Sequence, residues 1–282
     1  MNVAEPFFSK QLLGLYYNGV QYIEQLNPYK MRKYILILLF MPFISCAESG
    51  NSIPDLAYSS NLEISDNVAT ISHQKWDDLL QKHVSSSGKV DYLGFKNDTA
   101  ALQSYLDVLA ENLPKKSWSK NATLAYWINA YNAFTVKLIL DNYPVESIKD
   151  IKKPWDQDFI MLENSAYSLG EIEHKILRKM NEPRIHFAIN CASYSCPNLL
   201  NEAYTEAKIE KQLESSTISF INDTTKNSIT ADKIEISKIF DWFSGDFKNE
   251  GSLIDFLNKY STVKINANTK INYKDYKWNL NN

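Results

Sequence analysis

The chain has 282 residues, 44% of them hydrophobic and 13% aromatic, which is ample for a core and argues against disorder as the main state. Its formal charge is −3, with lysines scattered among acids rather than gathered in a stripe, so nothing electrostatic favours nucleic acid as a partner. Only four histidines and three cysteines are present, which narrows where imidazole or thiol chemistry can reside.

Near the start, Met31-Arg32-Lys33 precedes an apolar run from Tyr34 to Ile44 and then Ser45-Cys46-Ala47-Glu48. A basic segment, a short apolar segment and a small residue at the cut are the parts of a secretory signal. The run is shorter than the roughly 20 apolar residues that span a bilayer. Ile44-Ser45-Cys46 also resembles a bacterial lipoprotein signal, although Phe43 stands where such signals usually carry leucine. Residues 31–45 are therefore expected to be a signal, Cys46 the lipidation site and residues 46–67 a tether containing Pro54 and several serines. Residues 1–30 are an uninterpreted leader, or Met31 is the true start. The implied location is the bacterial cell envelope, periplasmic or attached to the outer membrane, with the membrane as partner through an N-terminal lipid anchor. Export leaves Cys191 and Cys196 in an oxidising space, where an even pair invites a disulfide.

Folded structure is expected over residues 68–282. Trp76, Leu79, Leu80 and His83 recur at helical spacing with Ser72 as a candidate cap, and His73 and His83 are expected on the exposed side of that helix. Ser85-Ser86-Ser87-Gly88 breaks that helix, and a second amphipathic helix runs from Leu102 to Leu113 before Pro114. From Ala122 to Asn142 apolar residues occupy every side, the mark of a central buried helix, with Asn121 or Thr123 as its cap. Asn129 and Asn132 lie on one face of it and must find partners, either neighbouring loop backbone or a catalytic ring or substrate.

Tyr143-Pro144 ends the helix, and Ile148 to Asp158 reads as a surface loop. Phe159–Leu162 and Ala166–Leu169 flank Glu163-Asn164-Ser165 as a hairpin, and Ser168 with Glu171 makes a capping box. On the following helix Glu173 and His174 fall on different stripes, the latter with Arg178. Beyond the cysteines come a helix carrying Ile209, Leu213 and Phe220 and a strand at Ile234 and Ile236. An aromatic cluster of Phe240, Trp242, Phe243 and Phe247, a helix from Leu253 to Tyr260 and closing strands before Tyr273 complete the chain. The expected fold class is α+β, a single domain whose buried central helix packs against a small mixed or antiparallel sheet.

Arg184–Leu199, RIHFAINCASYSCPNL, concentrates the chemistry. Ile185, Phe187 and Ile189 alternate with Arg184, His186 and Ala188, the period of a strand that empties into a loop carrying both thiols. One reading is a hydrolase or acyl transferase in which Cys196 is the nucleophile and His186 or His174 the base, with Glu173, Asn129 or Asn132 orienting the ring. Along a continuous strand Cys191 would point away from His186. A second reading is a structural Cys191–Cys196 disulfide worth roughly 2 kcal/mol. A redox role would depart from the Cys-x-x-Cys spacing of thioredoxin-like proteins. A third is a non-catalytic envelope lipoprotein that binds a small molecule or peptide. His186, Cys191 and Cys196 offer three zinc ligands without a paired motif to complete the set, so no metal and no cofactor is implied.

The strings LAYWINAYNAFTVKLIL, YPVESIKDI, PWDQDF, SLGEIEHKILR, PRIHFAINCASYSCPNL, NEAYT, SKIFDWFSGDF and DYKWNLN together resemble the domain-of-unknown-function family 547 of bacteria and plants, from about Trp76 onward. The resemblance implies that Trp127, Asn129, Tyr131, Asn132, Glu173, His174, Arg184, His186 and Ser195-Cys196-Pro197 form one shared site or scaffold. Trp127, Tyr131, Asn132 and Arg184 are its candidate substrate-binding residues.

Overall fold

The computed structural model describes residues 70–249 and 251–282. The signal, Cys46 and the tether lie outside the described residues.

Helices α2 (Tyr92–Asn97) and α3 (Thr99–Glu111) pack on the central helix α4 (Lys120–Asn142), and α1 (Gln74–His83) packs on both of them. Trp76, Leu79 and Leu80 supply the inner face of α1. The exposed positions expected for His73 and His83 are not observed. Both are buried, His73 Nδ1 lying 2.7 Å from Tyr105 Oη and His83 Nε2 2.6 Å from Asp98 Oδ2. The His73 ring meets Tyr105 of α3 edge-on and the His83 ring lies against Phe95 of α2, and the polar edge of each finds a partner.

Helix α4 is apolar around its whole circumference, and residues from Ala122 to Leu140 are almost all buried. Its cap is Ser119, whose Oγ accepts from Ala122 N at 3.0 Å, rather than Asn121 or Thr123. The antiparallel hairpin β1 (Ile160–Leu162) and β2 (Ser165–Tyr167) shares the α4 core through Ile160 and Leu162. The Ser168–Glu171 capping box forms and starts α5 (Leu169–Glu171). The chain then widens into a π-helix, Ile172–Ile176, before tightening into a 3₁₀ turn, Leu177–Met180.

The strand expected at residues 184–189 is replaced by a 3₁₀ helix, Pro183–Phe187. Pro183 occupies its first turn, where a missing N–H costs nothing, and the Glu182 carboxylate caps Arg184 N. Ile185, His186 and Phe187 are all buried, so the alternation of types does not correspond to two faces.

Helix α6 (Ile209–Asn222) leads to a three-stranded mixed sheet, β3 (Ser228–Ile229), β4 (Ile234–Ile236) and β5 (Ile271–Tyr273). β4 pairs antiparallel with β3 and parallel with β5. This sheet, α7 (Ile239–Trp242) and α8 (Leu253–Tyr260) enclose a second core of Phe187, Phe220, Phe240, Phe247 and Phe256. Phe187 belongs to it while Ile185 and Ala188 belong to the α4 core, so Pro183–Phe187 joins the two. The α+β class holds, with the hairpin sharing the helical core and the mixed sheet serving the second one. No helix among the described residues is long and apolar enough to cross a membrane.

Candidate functional site

Asn190 organises the loop that follows the 3₁₀ helix. Its Oδ1 accepts from Ala192 N at 2.8 Å and its Nδ2 donates to Pro197 O at 2.7 Å, closing the segment on itself. Ala192 sits at φ 59°, a left-handed conformation uncommon without glycine. Cys191 and Cys196 are joined as a disulfide across this turn, with their Cα atoms 6.3 Å apart. Cys196 Sγ accepts from Cys191 N at 3.0 Å, and the hydroxyls of Ser193 and Tyr276 approach it at 3.3 and 3.2 Å.

The C-terminal segment runs beside the loop. Tyr194 N donates to Asn279 O and Ser195 N to Lys277 O, while Lys277 N returns to Ser195 Oγ. These bonds place Tyr276 against the disulfide and Trp278 beside Tyr276. Gly170 is required nearby, because a Cβ there would lie 2.9 Å from the carbonyl oxygen of Trp155. That close approach brings Trp155 onto Trp278, with ring centroids 5.6 Å apart.

The result is a cavity of about 380 Å³. Trp155, Trp242, Tyr276 and Trp278 form one wall and Phe243 another, while Tyr131, Glu173, His186 and Cys196 are the buried part of the lining. Its size and mostly apolar lining match a small-molecule site, in which a few polar groups fix orientation.

Two polar groups face this cavity in different states. Glu173 is 7% exposed, and burial pushes its carboxyl up to about 7 against the opposing effect of a 3.4 Å hydrogen bond from Tyr131 Oη. His186 stacks on Phe243 at 4.1 Å and bonds Asp246 Oδ2 through Nε2 at 2.8 Å. Burial lowers its affinity for a proton, and Asp246 restores part of it. Burial would raise the Asp246 carboxyl, yet the bonds from His186 and Arg178 hold it below the usual carboxylate range. Arg178 grips both oxygens of Asp246, at 2.6 and 2.9 Å.

Glu173, His174, His186, Cys191, Cys196 and Tyr131 all border the cavity. Because no strand is present at residues 184–189, Cys191 and His186 do not point to opposite sides. Glu173 and His174 likewise border one space, the first buried and the second at the rim. The π-helix carries both, and such bulges are frequent at functional sites. Among the described residues no hydrogen bond joins either imidazole to either sulfur. The His174 ring meets Arg178 at 3.3 Å and His186 meets Asp246, so the expected thiol–imidazole pair is not assembled.

The remaining candidates lie elsewhere. Asn129 clamps Tyr204 backbone, at 2.8 Å to its carbonyl and 3.0 Å from its N–H. Asn132 holds Ala188 O and Asn190 N in the same manner, so neither amide orients a ring. Trp127 is a core residue packed on Tyr126. Arg184 is paired with Glu182 and Glu210 and borders a different concavity. No group of three or more His, Cys, Asp and Glu side chains among the described residues is gathered to hold a metal ion.

Asp246, Ser193 and the aromatic wall are site features that sequence reasoning misses. Trp242 and Phe243 read as core aromatics beside Phe240 and Phe247, yet of these four only Phe240 and Phe247 are fully enclosed. The strings DWF and DYKWN carry the available signal, as aromatic residues set among polar ones.

Residues 115–221 match the model of a family described as a protein of unknown function, DUF547. The matched stretch is shorter than the resemblance from Trp76 onward implies. It contributes the deep part of the cavity, from Tyr131 to Pro197, while Trp242, Phe243, Tyr276 and Trp278 lie beyond it. No curated protein and no solved structure matches the chain.

Proposed function

We propose, from the premise that residues 115–221 match the DUF547 family of unknown function, that this is an exported, lipid-anchored domain binding a small, largely apolar ligand. The observation that carries the reading is the aromatic cavity with a buried carboxyl, Glu173, facing into it. An apolar space with one poorly satisfied polar group is costly for a fold and useful for a ligand, because the ligand supplies both the contacts and the missing partner. The signal-like segment before Cys46 supports the envelope location, and the residues up to the domain supply a tether.

Native mass spectrometry of the protein isolated from its own membranes tests this. A small molecule should be retained by the wild type and lost from Trp278→Ala. Identical spectra of bare protein from both would remove the binding reading.

A second reading is cysteine chemistry in the reduced form. The Cys191 N–H and the Ser193 and Tyr276 hydroxyls converge on the Cys196 sulfur, and such donors favour a thiolate. After reduction with a dithiol, Cys196 should be alkylated near neutral pH and more slowly in Tyr276→Phe. Equal rates in the two proteins would dismiss it.

A further inference from the structure

We propose that the cavity receives a hydrophobic cation, an alkyl- or arylammonium group set between Glu173 and the faces of Trp242, Tyr276 and Trp278. The inference rests on the ligand-binding reading above and names the chemical class of its ligand.

Charge balance is the first support. Glu173 is more than nine-tenths buried, and its one hydrogen bond among the described residues is the long contact from Tyr131. No ion pair to it is formed among those residues. Arg178 is engaged by both oxygens of Asp246, and His186 bonds the same carboxylate. Asp246 therefore has its cation in direct contact, whereas Glu173 feels the Arg178 charge only from beyond hydrogen-bond distance. A carboxyl buried without an ion-pair partner tends to hold its proton, and a ligand cation supplies the charge that lets it ionise.

The wall is the second. Centroids lie 4.8 Å apart for Trp242 and Tyr276 and 4.5 Å for Tyr276 and Trp278, a continuous aromatic surface beside that carboxyl. Indole and phenol faces carry negative quadrupole, and aromatic surfaces attract quaternary ammonium groups. Trp278 already attracts a cation within the chain, Lys149 Nζ lying 5.1 Å from its ring centroid. Trp242 is 46% exposed and keeps the aromatic surface accessible.

Phenyltrimethylammonium and its uncharged carbon isostere, tert-butylbenzene, have nearly the same shape and separate charge from apolar burial. Titration of the whole protein, followed by tryptophan fluorescence and calorimetry, should show the cation binding at least about tenfold more tightly, a difference of roughly 1.4 kcal/mol. Glu173→Gln should erase most of that preference and leave the isostere unaffected. Equal affinity for the two probes in the wild type, which needs no variant to fold, overturns the cation assignment and leaves the pocket reading standing. A folded Glu173→Gln variant that keeps the preference overturns the assignment in the same way. Failure of both probes to bind overturns the pocket reading and this inference with it.

Discussion

Asn132 Oδ1 accepts the backbone N–H of Asn190 at 2.8 Å, and its Nδ2 donates to Ala188 O at 3.0 Å. One buried amide on α4 thus fixes the entry to the disulfide loop from both sides, and Asn129 does the same for Tyr204. Truncating either leaves two buried backbone groups unpaired, at about 1–3 kcal/mol each. Asn132→Ala and Asn129→Ala should each lose about 3 kcal/mol in urea denaturation, toward the lower end of that combined cost. For Asn132→Ala, hydrogen exchange should also quicken at Asn190. A loss below about 1 kcal/mol would mean that water replaces the amide.

The disulfide closes a short loop, Cys191 and Cys196 being separated by 5 positions. Chain entropy assigns such a closure roughly 2 kcal/mol. The Cys191→Ala/Cys196→Ala double variant should be destabilised by about that amount and still fold. Mass spectrometry of the wild type should show two hydrogens gained on reduction. Free thiols in the unreduced protein would contradict the bond.

Buried acid and base oppose each other in the pH dependence of stability. Glu173 titrates near 7 in the fold against an ordinary 4.5, so its protonated form is favoured and stability falls as pH rises between those values. Burial lowers His73 from 6.5 to about 4, so its neutral form is favoured and stability falls as pH drops through that window. Each effect amounts to at most about 3 kcal/mol. Glu173→Gln should unmask the histidine, giving a protein whose stability climbs steadily from about pH 4 to pH 6.5, more steeply than the wild type. Superimposable profiles from thermal melts would show that Glu173 does not titrate as a buried carboxyl.

The envelope assignment depends on Cys46. Cells fed a tagged fatty acid should label the wild type, with a mature chain beginning at Cys46. Cys46→Ser should abolish the label and release the protein from the membrane fraction. A mature chain that begins well upstream of Cys46 would contradict the anchor.

Elements whose signal is local are legible in the sequence. Helix α4 announces itself by apolar residues on every side, the Ser168–Glu171 box by its spacing, and β4 by Ile234 and Ile236. Residues 184–189 read as a strand, whereas Pro183–Phe187 folds as a 3₁₀ helix, because so short a stretch cannot separate the two when every side is buried. The site is half legible. Glu173, His186 and the cysteines stand out as rare or reactive types, but their partners come from far along the chain. Asp246 reaches His186 across 60 positions and Tyr276 reaches Cys196 across 80. Periodicity carries no information about such pairings.

If the cavity between Glu173 and Trp278 is a ligand site, a crystallographic fragment soak will populate it. Fragments should collect there, with rings against Trp155, Tyr276 or Trp278 and a polar or charged atom at the Glu173 carboxyl. Fragments gathering repeatedly at other surfaces, with this cavity bare in every data set, would contradict the account.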